Sequence, residues 1–116
     1  MNFPSLLAPI CLLLLAGCAT APPPIADGIH GLFSEMPEKF DRRVRERFPV
    51  GSDEARLHQE LLRERFVITR NEGDPFRYSA NFASSDMACR IDWTIRWSQY
   101  AGKIAEITAT EGHVCL

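Results

Sequence analysis

The stretch ACRIDWTIRW, residues 88–97, alternates without a break. Cys89, Ile91, Trp93, Ile95 and Trp97 fall on one side, and Asp92, Thr94 and Arg96 on the other. A period of two is the mark of a strand with one buried face. Five apolar or sulfur-bearing residues on that face, two of them tryptophan, predict the centre of the core. On the outer face, Asp92 and Arg96 read as a surface ion pair rather than an acid–base team.

Working outward, Tyr100-Ala101-Gly102 reads as a hairpin turn and Lys103 to Thr110 as the returning strand. Upstream, Phe76, Tyr78, Ala80 and Phe82 alternate with Arg77, Ser79 and Asn81, predicting a second half-buried strand. Residues 83–87 read as a loop, NEGDP at 71–75 as turn chemistry, and Phe66-Val67-Ile68-Thr69 as a short β-branched strand.

Earlier still the period changes. In Ser34 to Phe48, the residues Met36, Phe40, Val44 and Phe48 recur every four positions, which predicts a helix with one apolar stripe. Its acids Glu35, Glu38 and Asp41 come early, and Arg42, Arg43, Arg45 and Arg47 come late, as the helix dipole favours. The arginines read as a solvated face, and Phe48-Pro49 ends the element. Gly51-Ser52-Asp53-Glu54 opens a second helix with Ser52 as its cap; Leu57, Leu61 and Leu62 form its buried face, and it fades near Arg65. His58 sits at the edge of that face, a boundary residue. The expected fold is α+β: two N-terminal helices packed on a three- to four-stranded antiparallel sheet.

The amino terminus carries a different signal. Residues 6–16, LLAPICLLLLA, are apolar but too short for a membrane span, which takes about 20 residues. They have the length of a signal-peptide core, although MNFPS before them lacks Lys and Arg; either the free amino group suffices or the start lies upstream. Leu15-Ala16-Gly17-Cys18 resembles the lipobox of bacterial lipoproteins. That resemblance implies cleavage between Gly17 and Cys18, a diacylglyceryl group on the Cys18 sulfur, and an acylated new amino terminus. It divides the chain into a signal peptide (1–17), a lipid-anchored tether (18–33) carrying Pro22-Pro23-Pro24, and a globular domain (34–116). More than one acyl chain gives stable anchoring, since each buried methylene contributes about 0.8 kcal/mol. Ala19 stands where retained inner-membrane lipoproteins commonly have aspartate. The implied location is therefore the outer membrane facing the periplasm, with inner-membrane retention as the alternative.

Cys11 would leave with the signal and Cys18 would carry lipid, so Cys89 and Cys115 remain. An even pair in an exported small domain predicts a disulfide. A hairpin folding back near residues 100–104 brings them to neighbouring strand ends, on one face if odd positions oppose odd. They lack the CxxC spacing of a redox pair. With His113 they make only three of the four ligands that a structural zinc site needs, so no metal is expected.

No nucleophile–base or phosphate-binding motif is present in the sequence, and His30, His58 and His113 fall in three separate regions. Ser84-Ser85-Asp86 reads as loop chemistry. No catalytic residue and no cofactor are expected, and a net charge of −2 gives no general attraction for nucleic acid. Two helices, the Gly51-Ser52 helix opening and the antiparallel strands after it resemble the small BamE/SmpA-like lipoproteins of outer-membrane assembly over residues 34–110. The match is confined to Gly51 to Leu57; the Leu-Gly-x-Pro helix end of that group is replaced here by Leu61-Leu62-Arg63-Glu64-Arg65. The implied role is structural or protein-interacting in the cell envelope, with an envelope protein as partner. The alternative is a periplasmic inhibitor or ligand-binding module, which a barrel with a projecting loop would favour.

Overall fold

In the computed structural model, which describes residues 19–116, the tryptophan-bearing segment is strand β3 (Cys89–Tyr100) of a four-stranded antiparallel sheet. The other strands are β1 (Val67–Arg70), β2 (Tyr78–Ser85) and β4 (Lys103–Cys115), in the order β1-β2-β3-β4, so each lies beside its sequence neighbour. Two helices, α1 (Met36–Arg47) and α2 (Glu54–Arg63), pack on the face carrying Trp93, Ile95 and Trp97, all fully buried. The α+β architecture and its disulfide are as the alternation predicts, and the strand count is four. The Leu15-Ala16-Gly17-Cys18 motif lies outside the described residues.

Each tryptophan is held at both its ring and its nitrogen. Trp93 meets Phe40 of α1 edge-on, ring centres 5.0 Å apart, and its Nε1 donates to Ser84 Oγ at 2.9 Å. Trp97 stacks on Tyr78 at 5.6 Å, and its Nε1 donates to Glu54 Oε1 at 3.2 Å, which fixes the start of α2 over the sheet. Buried indole N–H groups need such partners.

The β3–β4 hairpin turns on Ala101 and Gly102, with φ of 52° and 78°. Positive φ at both central positions belongs to the turn whose twist matches the strands it joins. A two-residue turn there would oppose odd positions to even ones. Instead Gln99 pairs with Ile104 but Trp97 with Ile107, so β4 holds one extra residue in a bulge. The bulge switches the buried set of β4 from Ile104 to Ile107, Ala109 and Glu111. From there on odd opposes odd, and Cys89 arrives opposite Cys115.

Leu57 and Leu61 are buried as expected, but Leu62 is 53% exposed. Successive helical positions lie about 100° apart, so Leu62 turns away from the stripe its neighbour occupies. Ser52 does not cap α2: its hydroxyl donates to Pro49 O, and Asp53 is the residue before the helix. The end of α2 is closed by two backbone bonds, Arg65 N to Leu62 O and Phe66 N to Leu61 O, with Arg65 at φ 69°. This is the Schellman arrangement with arginine where glycine is usual, and its apolar contact joins two buried residues, Phe66 and Leu61.

The predicted pair of Asp92 and Arg96 does not form. Four residues along a strand span about 13 Å, whereas the same spacing on a helix makes neighbours. Arg96 instead donates to Asp74 in the β1–β2 loop and lies over the Phe76 ring, and Asp92 is 3.5 Å from Arg90.

Residues read as a tether are, from Thr20 onward, packed on the body. Thr20 forms a bridge with Ser85, exchanging two backbone hydrogen bonds with the edge of β2 beyond the reach of β1. A short 3-10 turn follows at Pro24–Ala26, and Pro23, Ile25, Ala26 and Ile29 are buried in the core. Glu64 accepts the Ile25 amide at 2.6 Å, and Arg43 donates to the carbonyls of Ile25 and Asp27. Proline runs favour extended chain, but extended chain also lies flat across a helix–sheet seam when its polar groups find partners there. The packed body thus begins ahead of the helices. Arg43 and Arg47 are correspondingly not a solvated face: Arg47 bridges Glu60 and Glu64 of α2 at 2.9 and 2.8 Å.

The outer edge of β4 is covered by α1 and the connector to α2. Ile104 exchanges bonds with Gly51 and Ser52, and Asp41 accepts the Ala109 amide at 2.8 Å. Burial works to raise the Asp41 pKa. The hydrogen bonds from Arg45, Ala109 and Thr108 and the Arg45 charge together outweigh it and hold the group below its ordinary 3.8. A depressed carboxylate contributes stability that is present above the unfolded value and lost as pH falls through the folded one. Acid titration of stability should therefore show a loss beginning below about pH 4, and Asp41→Asn should flatten that limb; an unchanged limb in the variant would show that other carboxylates set it.

Candidate functional site at the disulfide end of the sheet

Several features singled out by the sequence meet at one end of the sheet. Cys89 and Cys115 are bonded there, directly opposite across β3 and β4 with Cα atoms 4.0 Å apart. Beside them the β2–β3 connection is short, because β2 runs on through Ser84 and Ser85 and does not open into the loop expected from residue 83. Ser84 is buried by its bond to Trp93, a polar residue carried into the core by one partner. Asp86 closes the turn: its Oδ1 accepts the amides of Ala88 and Cys89 at 2.7 and 2.6 Å. Those two backbone bonds, Cys89 first, hold its carboxyl below the ordinary carboxylate range. Met87 projects from this pinned turn, 87% exposed.

On β4 the strand continues to Cys115, five residues past the expected end. Glu111, Gly112 and His113 break the apolar alternation there, which is why the sequence pattern stops short. Glu111 faces inward opposite Trp93, fully enclosed. Its Oε1 lies 3.0 Å from His113 Nδ1, while Oε2 has no hydrogen-bond partner among the described residues. The His113 ring stacks on Phe33 at 3.9 Å, tying the segment before α1 to the end of β4. Thr20 pairs with Ser85 at the same end, so the chain arriving from residue 18 enters the body here.

A shallow depression of about 420 Å³ crosses this end, lined by Ser85, Met87, Arg90, Val114 and Leu116 around the disulfide. Its lining is mostly apolar, with the Arg90 cation and the Asp86 carboxylate among it, and Asp86 Oδ1 is taken up by the amides of Ala88 and Cys89. The three histidines stay apart. His113 is here, the His30 carbonyl accepts from Lys39 on α1, and His58 stands 3.9 Å from Glu54 on α2. Among the described residues, no three His, Cys, Asp or Glu side chains come together as a metal site, and no helix is long and apolar enough to cross a membrane. Gly17 and Cys18, the expected cleavage and lipidation positions, lie outside the described residues. What the arrangement can do is present a rigid, mostly apolar surface beside the point of chain entry.

No family model, no curated protein and no solved structure matches this chain.

Proposed function

We propose that this chain is a bacterial envelope lipoprotein, cut before Cys18 and anchored through its acylated sulfur and amino terminus. It has a structural or protein-interaction role and no catalytic one. The observation that carries this reading is Leu15-Ala16-Gly17-Cys18 at the end of an apolar run too short to span a bilayer. Two features support it. A cystine joining β3 to β4 suits an oxidising compartment such as the periplasm. An open sheet backed by helices, not a barrel with a projecting loop, favours an interaction body over an inhibitor. Ala19 after the cysteine favours the outer membrane, facing the periplasm.

Intact-mass measurement on protein purified from bacterial envelopes, with and without reductant, tests this. The expected species begins at Cys18, carries diacylglyceryl and acyl groups, and gains two hydrogens on reduction. A retained leader, or an unmodified thiol at residue 18, would overturn the assignment. Crosslinking in intact envelopes, comparing the acylated protein with Cys18→Ala, should recover its protein partner only from the anchored form.

A further inference from the structure

We propose that the disulfide end of the sheet is seated on the surface of the bilayer, with Met87 and Val114 in the interface. This rests on the acylation reading and adds to it an orientation that anchoring alone does not specify. A lipid on a long flexible tether would leave the body free to tumble. The tether here is not long. The Thr20–Ser85 bridge fastens the chain to the end of β2, and two peptide steps of about 3.8 Å each separate residue 18 from residue 20. The Cα of residue 18 can therefore lie no more than about 8 Å from that of Thr20, and the lipid begins at its side chain and amino group.

The surface around the bridge is suited to such a position. Met87 is 87% exposed and Val114 72%, and Leu116 is fully exposed between them and the disulfide. Leu32 and Phe33, also exposed, stand on the side where Phe33 stacks on His113. The opposite end, built from the 71–77 loop and the Ala101–Gly102 turn, presents two exposed large apolar residues, Tyr100 and Val50. Exposed apolar groups are ordinary when scattered. Here they gather where the chain would leave a membrane.

The cations by the entering chain are Arg63 and Arg65, which flank Pro22–Pro24 where it passes α2, whereas Arg90 lines the depression together with Asp86 and lies 3.5 Å from Asp92. Basic groups at a bilayer surface are drawn to anionic headgroups while neighbouring apolar side chains enter the acyl boundary. The turn that carries Met87 is braced by Asp86 and by the disulfide, so seating it costs little ordering entropy.

Hydroxyl-radical footprinting of the acylated protein in phosphatidylethanolamine–phosphatidylglycerol vesicles reads this directly, with the body from Ala19 onward, free of leader and lipid in solution, as reference. Radical attack on methionine and tyrosine follows their exposure, so Met87 oxidation should slow about fivefold or more on the vesicles while Tyr100 changes less than about twofold. Buried Met36 serves as the internal control in both samples. If intact mass shows the lipid in place but Met87 is oxidised as fast as in solution, or Tyr100 is the protected residue, the orientation is overturned and the anchor stands. If the mass shows no lipid, the anchoring reading falls and the orientation falls with it.

Discussion

Trp93→Ala is expected to destabilise the protein by about 3–5 kcal/mol, the range for deleting a large aromatic side chain from a packed core. The ring is fully buried at the middle of β3, between Phe82 and Glu111 on the neighbouring strands and edge-on to Phe40 of α1. Its removal leaves a void that neither β2 nor β4 can fill without losing register. It also strips Ser84 of its partner and exposes the unpaired side of Glu111 to whatever water enters. Small domains commonly have only 5–15 kcal/mol in total, so much of the margin goes. Trp93→Phe separates the two contributions: it keeps most of the apolar contact and loses the indole N–H, and should cost about 1–2 kcal/mol. Urea unfolding followed by circular dichroism measures both. A loss under about 1 kcal/mol for the alanine variant would mean that the helices, not β3, organise the core.

The second large effect concerns the cystine. The bond joins residues 26 apart in sequence, and closing a loop of that length is worth about 3.5 kcal/mol in the chain-entropy treatment. Cys89→Ser with Cys115→Ser should lower the melting temperature by roughly 15–25 °C for a body of this size. Reduction of the unaltered protein should match it. The two perturbations leave different signatures. Loss of Trp93 loosens the whole core, whereas loss of the cystine frees the sheet end first, so amide exchange should rise earliest at Arg90 and Val114. An equal rise at Trp97 and Ile107 would show that the bond supports the entire hairpin.

Particular residues explain what the sequence disclosed. Strand β3 was legible because its alternation runs unbroken past both tryptophans, and the cystine because Cys89 and Cys115 are the remaining pair at the far ends of two strands folded about one turn, although the odd-to-odd register that joins them depends on the β4 bulge. The helices were legible through Met36, Phe40, Val44 and Phe48, a spacing that fits a helical stripe, whereas a period of two would put Glu38, Arg42 and Glu46 on the same face. What escaped had no periodic signal. Ile25 is a single apolar residue after three prolines, and its burial depends on Glu64 and Arg43, 39 and 18 positions away. Ser84 is a serine in a Ser-Ser-Asp string, and only its distance to the Trp93 nitrogen distinguishes it from loop chemistry. The bulge in β4 did leave a trace, since buried Ile104 and Ile107 stand three apart where a strand expects two. The last residues of β4 were hidden because an enclosed glutamate looks like a surface one until its neighbours are placed. For the candidate site, the cystine was visible beforehand, whereas the convergence of Thr20, Met87, His113 and Phe33 on one end depends on pairings between distant segments.

The strap of residues 20–29, with Pro23, Ile25, Ala26 and Ile29 buried, has a consequence for the order of events in biogenesis. Each strand of the meander can find its partner as soon as the next one is made, but the strap cannot. Its anchoring groups, Glu64 and then Ser85, lie far behind it on a chain that emerges amino terminus first at about 5–20 residues per second. The oldest part of the polypeptide therefore waits several seconds and docks among the last, with Ile25 and Ile29 uncovered in the meantime. Any factor that holds the unfinished chain would have its natural target there.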